Sequence, residues 1–171
     1  QAGDAPATID VLFPHGGTAP LKHPRPDTGL QAKFSAPYCA AAAWVDGTVG
    51  LASFSDAAAT RAALRPQMDR VRVSERPGPH EPLESAPVRV TVTTAGWSES
   101  ILVDWAPGCL QDPFTNEELI AKWMDCETNG ATEIPAGTAT AWLEADQAQP
   151  VTTLLRSLRA AIFLRSKSAA E

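Results

Sequence analysis

Lys33, Ser35 and Tyr38 fall within six residues, at the entrance to an Ala-rich run that closes on Asp46-Gly47. Ser35 is placed to cap a helix there, its hydroxyl accepting from a free first-turn N–H. Pro37 suits the same turn, where backbone donors lack intrahelical partners anyway. A capped helix start carries free N–H groups and the positive end of the helix dipole, and both favour an anion. Lys33 precedes the cap by two residues and Tyr38 follows it by three. Lys22, His23 and Arg25 come shortly before, and between Lys22 and Lys33 the only acid is Asp27. Cations beside a helix start, with a phenol in its first turn, suit binding of an anion and a hydrogen bond or proton transfer to it. Each residue also has a plainer reading. Tyr38 fits a core position with a satisfied hydroxyl. Lys22, Lys33, His23 and Arg25 fit a solvated loop, and Ser35 fits a cap with no further role. His15 and His80 sit beside Pro or Gly and read as exposed.

The elements that must hold these residues follow from pattern. Residues 7–13 alternate apolar and polar groups at Ile9, Val11 and Phe13, which predicts a strand. A Pro- and Gly-rich loop then runs to Gly29, long enough to be either functional or mobile. The Ala-rich helix ends at Gly47, a residue suited to the left-handed position past a helix. It is apolar nearly all round, which predicts burial. Residues 49–54 read as a short extended piece. A second helix is expected over residues 57–64, capped by Ser55 or Asp56 and ended by Pro66. Residues 70–74 alternate again. Val88, Val90 and Val92 alternate with polar residues, and Ala95-Gly96 offers the turn into a partner strand at Ile101 and Val103, a β-hairpin.

Composition changes after Pro113. Thr115 and Glu118 form a capping box, with Phe114 and Leu119 as its hydrophobic staple, predicting a helix to about residue 127. Further helices are expected over residues 136–145 and from Pro150 onward, the last with Val151, Leu154, Leu155, Leu158 and Ile162 on one face. Residues 166–171 are expected to fray. The order is β-α-α-β-β-β and then three helices. This is an α+β fold, a small sheet of about four strands covered by helices, followed by a helical C-terminal segment.

The 171 residues allow one sizeable domain or two small ones. A net charge of −6, from 14 basic and 20 acidic residues, argues against a nucleic-acid partner. No apolar run reaches the ~18 residues a membrane span needs. Cys39, Cys109 and Cys126 are widely spaced and odd in number, which argues against a metal site and a disulfide scaffold and for a reducing cytoplasm. Five Trp residues are expected as core or domain-interface anchors. The chain opens on Gln1 rather than Met, with no signal pattern, and is expected to begin through processing, truncation or choice of the expressed piece.

The segment Pro24-Arg25-Pro26-x-x-Gly29-x-Gln31-Ala32-Lys33-Phe34-Ser35-x-x-Tyr38-x-x-Ala41-x-Ala43-x-x-Asp46-Gly47 resembles the signature stretch of the MmgE/PrpD family, which includes 2-methylcitrate dehydratase. Asp112-Pro113-Phe114-Thr115-x-x-Glu118-Leu119-x-x-Lys122-Trp123 is similar to a second family segment, with Phe114, Thr115 and Trp123 as mild departures. The resemblance implies an α+β lid over residues 1–111. It implies that residues 112–171 return to pack on a large helical domain that carries the family's Asp and His cluster and is not in this sequence. It further implies a cytoplasmic lyase of propionate metabolism, homodimeric when full length, acting on a small polycarboxylate without cofactor or metal. Epimerisation, decarboxylation and a non-catalytic stand-alone lid are the alternatives. By the same match Tyr38 is the lid tyrosine that reaches the active site, and Lys33, Ser35, His23 and Arg25 are candidates for binding the substrate. The isolated chain is expected to be inactive.

Overall fold

The computed structural model describes residues 8–81 and 86–129. The chain divides into two compact units, Gln1–Pro113 and Phe114–Glu171. In the first, strands β1 (Thr8–Phe13), β2 (Val71–Glu75), β3 (Val88–Thr93) and β4 (Ser98–Val103) make one mixed sheet in the order β2-β1-β3-β4. β1 runs parallel to β2 and antiparallel to β3, and β3 and β4 form the expected hairpin. The parallel pair requires a crossover. All the short helices of this unit lie in it: α1 (Gly29–Ala32), α2 (Ala36–Asp46), a 3-10 turn (Leu51–Phe54), α3 (Asp56–Ala59) and α4 (Arg65–Met68). The α+β class follows directly.

The register explains which face is covered. Ile9 pairs with Val71 and Val92, and Val11 with Val73 and Val90. Directly paired residues share a face, so these six branched side chains form one apolar surface, and Ala36, Cys39, Ala40, Ala43 and Trp44 of α2 lie over it around an apolar hollow of about 400 Å³. The opposite face carries Asp10, Thr91, Thr93, Ser98 and Ser100. There Thr91–Ser100 and Thr93–Ser98 hydroxyl pairs, each at 3.0 Å, fix the hairpin register. At the turn, Thr94 Oγ1 accepts from the N–H groups of Gly96 and Trp97.

The other side of α2 builds the second part of the core. Tyr38, Ala41 and Ala42 meet Ala32, Ala59, Leu64 and Met68, all nearly inaccessible to solvent. The small Ala side chains let α4 approach α2 closely, while α1 and α3 pack on each other and on the 3-10 turn. Burial of α2 is nevertheless incomplete, since Ala43 is open at the sheet hollow and Val45 is exposed. The sheet hollow and the helical core occupy two sides of the helix and leave a third open.

Two expected elements differ from what is seen. Residues 49–54 are not extended: Leu51–Phe54 form a 3-10 turn. Among the described residues no strand pairs with them. Instead Ser53 Oγ accepts from Gly50 N–H and Ser53 N–H donates to Gly50 O, closing a local turn. The helix expected over residues 57–64 stops at Ala59, where Thr60 Oγ1 bonds back to Asp56 O at 2.9 Å. That bond competes with the helical ladder. Pro66 does not end this helix but sits in the first turn of α4, where its missing N–H is harmless. Ser55, rather than Asp56, is the cap of α3.

Glu75 closes the loop after β1. Its carboxylate accepts from Gly16 N–H and Thr18 N–H, each at 2.9 Å, and from the Thr18 hydroxyl. The Thr18 hydroxyl and these backbone donors hold its pKa down to about 2 from 4.5, and His15 adds a smaller pull. A depressed carboxylate pKa stabilises the fold above the unfolded value, and that contribution is lost as pH falls from about 4.5 towards 2. Glu75→Gln should therefore lower the melting temperature near neutrality. The gap between variant and parent should close as pH is taken down through this window. A gap that stays constant across pH would mean that the charge of Glu75 is not what holds the loop.

In the second unit, α5 (Asn116–Asn129) begins at the expected capping box. Glu118 N–H donates to Thr115 Oγ1 at 3.2 Å and Thr115 N–H to Glu118 Oε2 at 2.8 Å. Lys122 lies over the Phe114 ring, 5.6 Å from its centre. The helices expected over residues 136–145 and beyond Pro150, and the frayed end, lie outside the described residues. No helix among the described residues is long and apolar enough to cross a membrane.

Candidate functional site

Ser35 begins α2 as expected. Its backbone is extended, and its Oγ accepts from Tyr38 N–H at 3.2 Å. Gly47 ends the helix with φ 74°, in the left-handed region. These two caps fix the eleven-residue helix that carries Tyr38 near one end and Asp46 at the other.

Tyr38 is wholly buried. Its ring packs at a tilt against Phe54, centre to centre 6.2 Å. Its hydroxyl donates to Ser53 O in the 3-10 turn. Burial pushes the phenol pKa up, the neighbouring Arg61 guanidinium pulls it down, and Cys39 and Asp46 push it up again. The hydroxyl therefore sits as a neutral donor between a carbonyl and a cation.

Arg61 is held in turn by Asp46. Nη1 donates to Oδ1 at 3.0 Å and Nη2 to Oδ2, a bidentate fork. Hydrogen bonding to Arg61 keeps the Asp46 carboxyl below its ordinary range. Asp46, Ser53 and Arg61 share the wall of an open hollow of about 420 Å³ with Ala52, Ala57 and Ala58. Ser53, whose carbonyl accepts from the Tyr38 hydroxyl, is one of them, and Arg61, whose charge acts on that hydroxyl, is another. The hollow thus lies on the far side of Ser53 and Arg61, and Tyr38 itself does not line it.

The cationic candidates lie on the N-terminal side of the same helix. His23 N–H donates to Phe34 O at 3.2 Å, which brings the proline-rich loop alongside Lys33 and the start of α2. Lys33 is exposed and His23 half-buried. Arg25 pairs with Asp69, and Arg65 reaches Pro26 O and Asp27. Among the described residues Arg25 thus has its charge partnered, while Lys22 and Lys33 extend from the loop. Sequence reasoning gave Asp46 no chemical role and missed Arg61 and Ser53. Only Asp46 carried a signal, as part of the quoted Asp-Gly ending. Arg61 lies in a segment expected to be plain helix.

The profile of the MmgE/PrpD C-terminal domain matches residues 3–139. The chain belongs to the MmgE/PrpD family. The match begins before β1 and runs on through α5, so both the sheet unit and the capped helix beyond Pro113 lie within this C-terminal domain. No curated protein matches the sequence. In this MmgE/PrpD domain the signature stretch from Pro24 to Gly47 has a physical form. It is the loop, α1 and α2, and it ends on the carboxylate that holds Arg61 beside Tyr38.

Proposed function

We propose that this chain is the lid part of a 2-methylcitrate dehydratase-like lyase acting on small polycarboxylates. The observation that carries this reading is the Tyr38 hydroxyl, buried with Ser53 and Arg61 directly behind a hollow open to the outside. A large helical domain of the same enzyme supplies the acid–base residues, and the full-length protein is a cytoplasmic homodimer. Tyr38 donates a hydrogen bond to the substrate or exchanges a proton with it, once the hydroxyl leaves Ser53 O. Lys33, Ser35, His23 and Arg25 form the anion-binding side. Lys33 offers positive charge and His23 an imidazole for hydrogen bonding near the helix start, and a substrate carboxylate competes with Asp69 for Arg25. Taking the proton next to a carboxylate before the hydroxyl departs builds negative charge on that group, so fixed cations lower the barrier, and the hydroxyl then leaves as water with a proton from an acid. No metal is needed for such a step.

Product analysis of the complete enzyme tests this. Dehydration releases water and leaves a carbon–carbon double bond, epimerisation keeps the mass and inverts one centre, and decarboxylation releases carbon dioxide. We expect the first product from a tricarboxylate such as 2-methylcitrate. Exclusive formation of either of the others would replace lyase-type dehydration with the corresponding activity. Binding of polycarboxylates without any turnover would make the protein a non-catalytic lid. The 171-residue chain alone is expected to turn over neither 2-methylcitrate nor cis-aconitate, because the acid–base cluster lies on the helical domain. Turnover by the pure chain would refute that division of labour.

A further inference from the structure

Arg61 is poorly explained as a stabilising residue. Its side chain is 39% exposed and that of Asp46 27%. Ion pairs this open to water contribute little to stability. Its Nε, by contrast, is buried and has no hydrogen-bond partner. A buried donor without a partner is destabilising. The arrangement therefore gives up stability to keep the guanidinium in one plane, on the wall it shares with Ser53, whose carbonyl takes the Tyr38 hydroxyl. The fork to Asp46 is what fixes that plane, since two parallel bonds to a carboxylate define the orientation of an otherwise flexible side chain. Asp46 is itself fixed, as the last residue of α2.

We propose that Arg61 is a positioning residue for Tyr38, its guanidinium braced by Asp46 so that the phenol hydroxyl is held at Ser53 O behind the hollow. This rests on the reading that Tyr38 meets the substrate. Arg61 lies past the end of α3, whereas Tyr38 and Asp46 are both on α2. The brace therefore ties the segment after α3 to the helix that presents the phenol. It also places positive charge where the phenol oxygen gains negative charge if Tyr38 gives up or shares its proton. The titratable groups acting on Tyr38 are Arg61, Cys39 and Asp46. Cys39 lies on the sheet side of the same helix and faces the apolar hollow there.

The chain contains a single tyrosine, so phenolate absorption reports Tyr38 alone. Arg61→Met should raise the pH at which the phenolate forms, because the cation is lost. Simple loosening of the packing predicts a fall instead, since a wetter phenol ionises more easily. An unchanged or lowered titration in Arg61→Met overturns the proposal. If alkaline unfolding intervenes, replacing the tyrosine by 3-fluorotyrosine brings the titration to lower pH, where fluorine NMR follows it in the folded chain.

The complete enzyme supplies the second arm. Arg61→Met should lower kcat on the order of tenfold or more with little change in KM, and Arg61→Lys should recover part of the loss. Unchanged turnover in Arg61→Met beside a crippled Tyr38→Phe overturns the positioning role. Unchanged turnover in both overturns the reading of Tyr38 itself, and the titration then still decides whether Arg61 controls the phenol.

Discussion

Tyr38→Phe is expected to lower kcat of the complete enzyme by roughly 10²-fold and to cost only about 1–2 kcal/mol of stability. The substitution removes one oxygen and leaves the ring, so the contact with Phe54 and the filled core around Ala41 and Ala42 survive. What is lost in the resting fold is one hydrogen bond, leaving Ser53 O without that donor. What is lost in the reaction is a proton donor or hydrogen bond to the substrate. Kinetics and thermal melts on the same preparation separate the two losses. A core tyrosine with no part in chemistry predicts the melting change with an unchanged rate, and that outcome would remove Tyr38 from the site.

The Tyr38 hydroxyl also bears on what could be read from sequence. The caps of α2 and α5 were legible because capping is local chemistry, decided by residues three or four apart. The strands were legible because each apolar face repeats every second residue, and register then followed from packing Ile9 and Val11 against Val90 and Val92. The 3-10 turn was not legible. Residues 49–54 have no period, and their shape is set by Gly50, Ser53 and a hydroxyl fifteen positions earlier in the chain. The short α3 was misjudged for a related reason. Ala57, Ala58 and Ala59 favour helix, but a Thr60 back-bond ends it and Arg61 turns to Asp46. The candidate site divides along the same line. Its part on α2 was visible as a motif, whereas Arg61 and Ser53 join it through contacts of fifteen residues in sequence that no local pattern announces.

Gly29→Ala is the substitution with the largest expected effect on the fold. Gly29 has no positive φ, so its lack of a side chain is not needed for backbone freedom. It is needed for space. A Cβ built there would stand 1.8 Å from Phe54 O and 2.6 Å from Phe54 C. Both are backbone atoms, so no rotamer change relieves the clash. Either α1 or the 3-10 turn must move. Moving α1 threatens the bond from Gly29 N–H to Asp56 Oδ1, now 2.7 Å. Overpacking of this kind costs about 3 kcal/mol, against a gain of about 1 kcal/mol from the better helix propensity of Ala. The net loss of about 2 kcal/mol should appear as a clear drop in the denaturant midpoint. Gly47→Ala is the control, because a Cβ there meets nothing within 4 Å and only the left-handed φ opposes it, at about 1–2 kcal/mol. The two variants also differ in what they disturb. Moving Phe54 drags Ser53 O away from the Tyr38 hydroxyl, so Gly29→Ala should alter the phenolate titration, whereas Gly47→Ala should reach it only through Asp46. A Gly29→Ala chain of full stability and unchanged titration would mean that α1 does not press on the 3-10 turn in solution. If the drop is found with a shifted titration, the glycine of the signature stretch is explained by the turn it makes room for, whose carbonyl holds the hydroxyl of the tyrosine nine residues later.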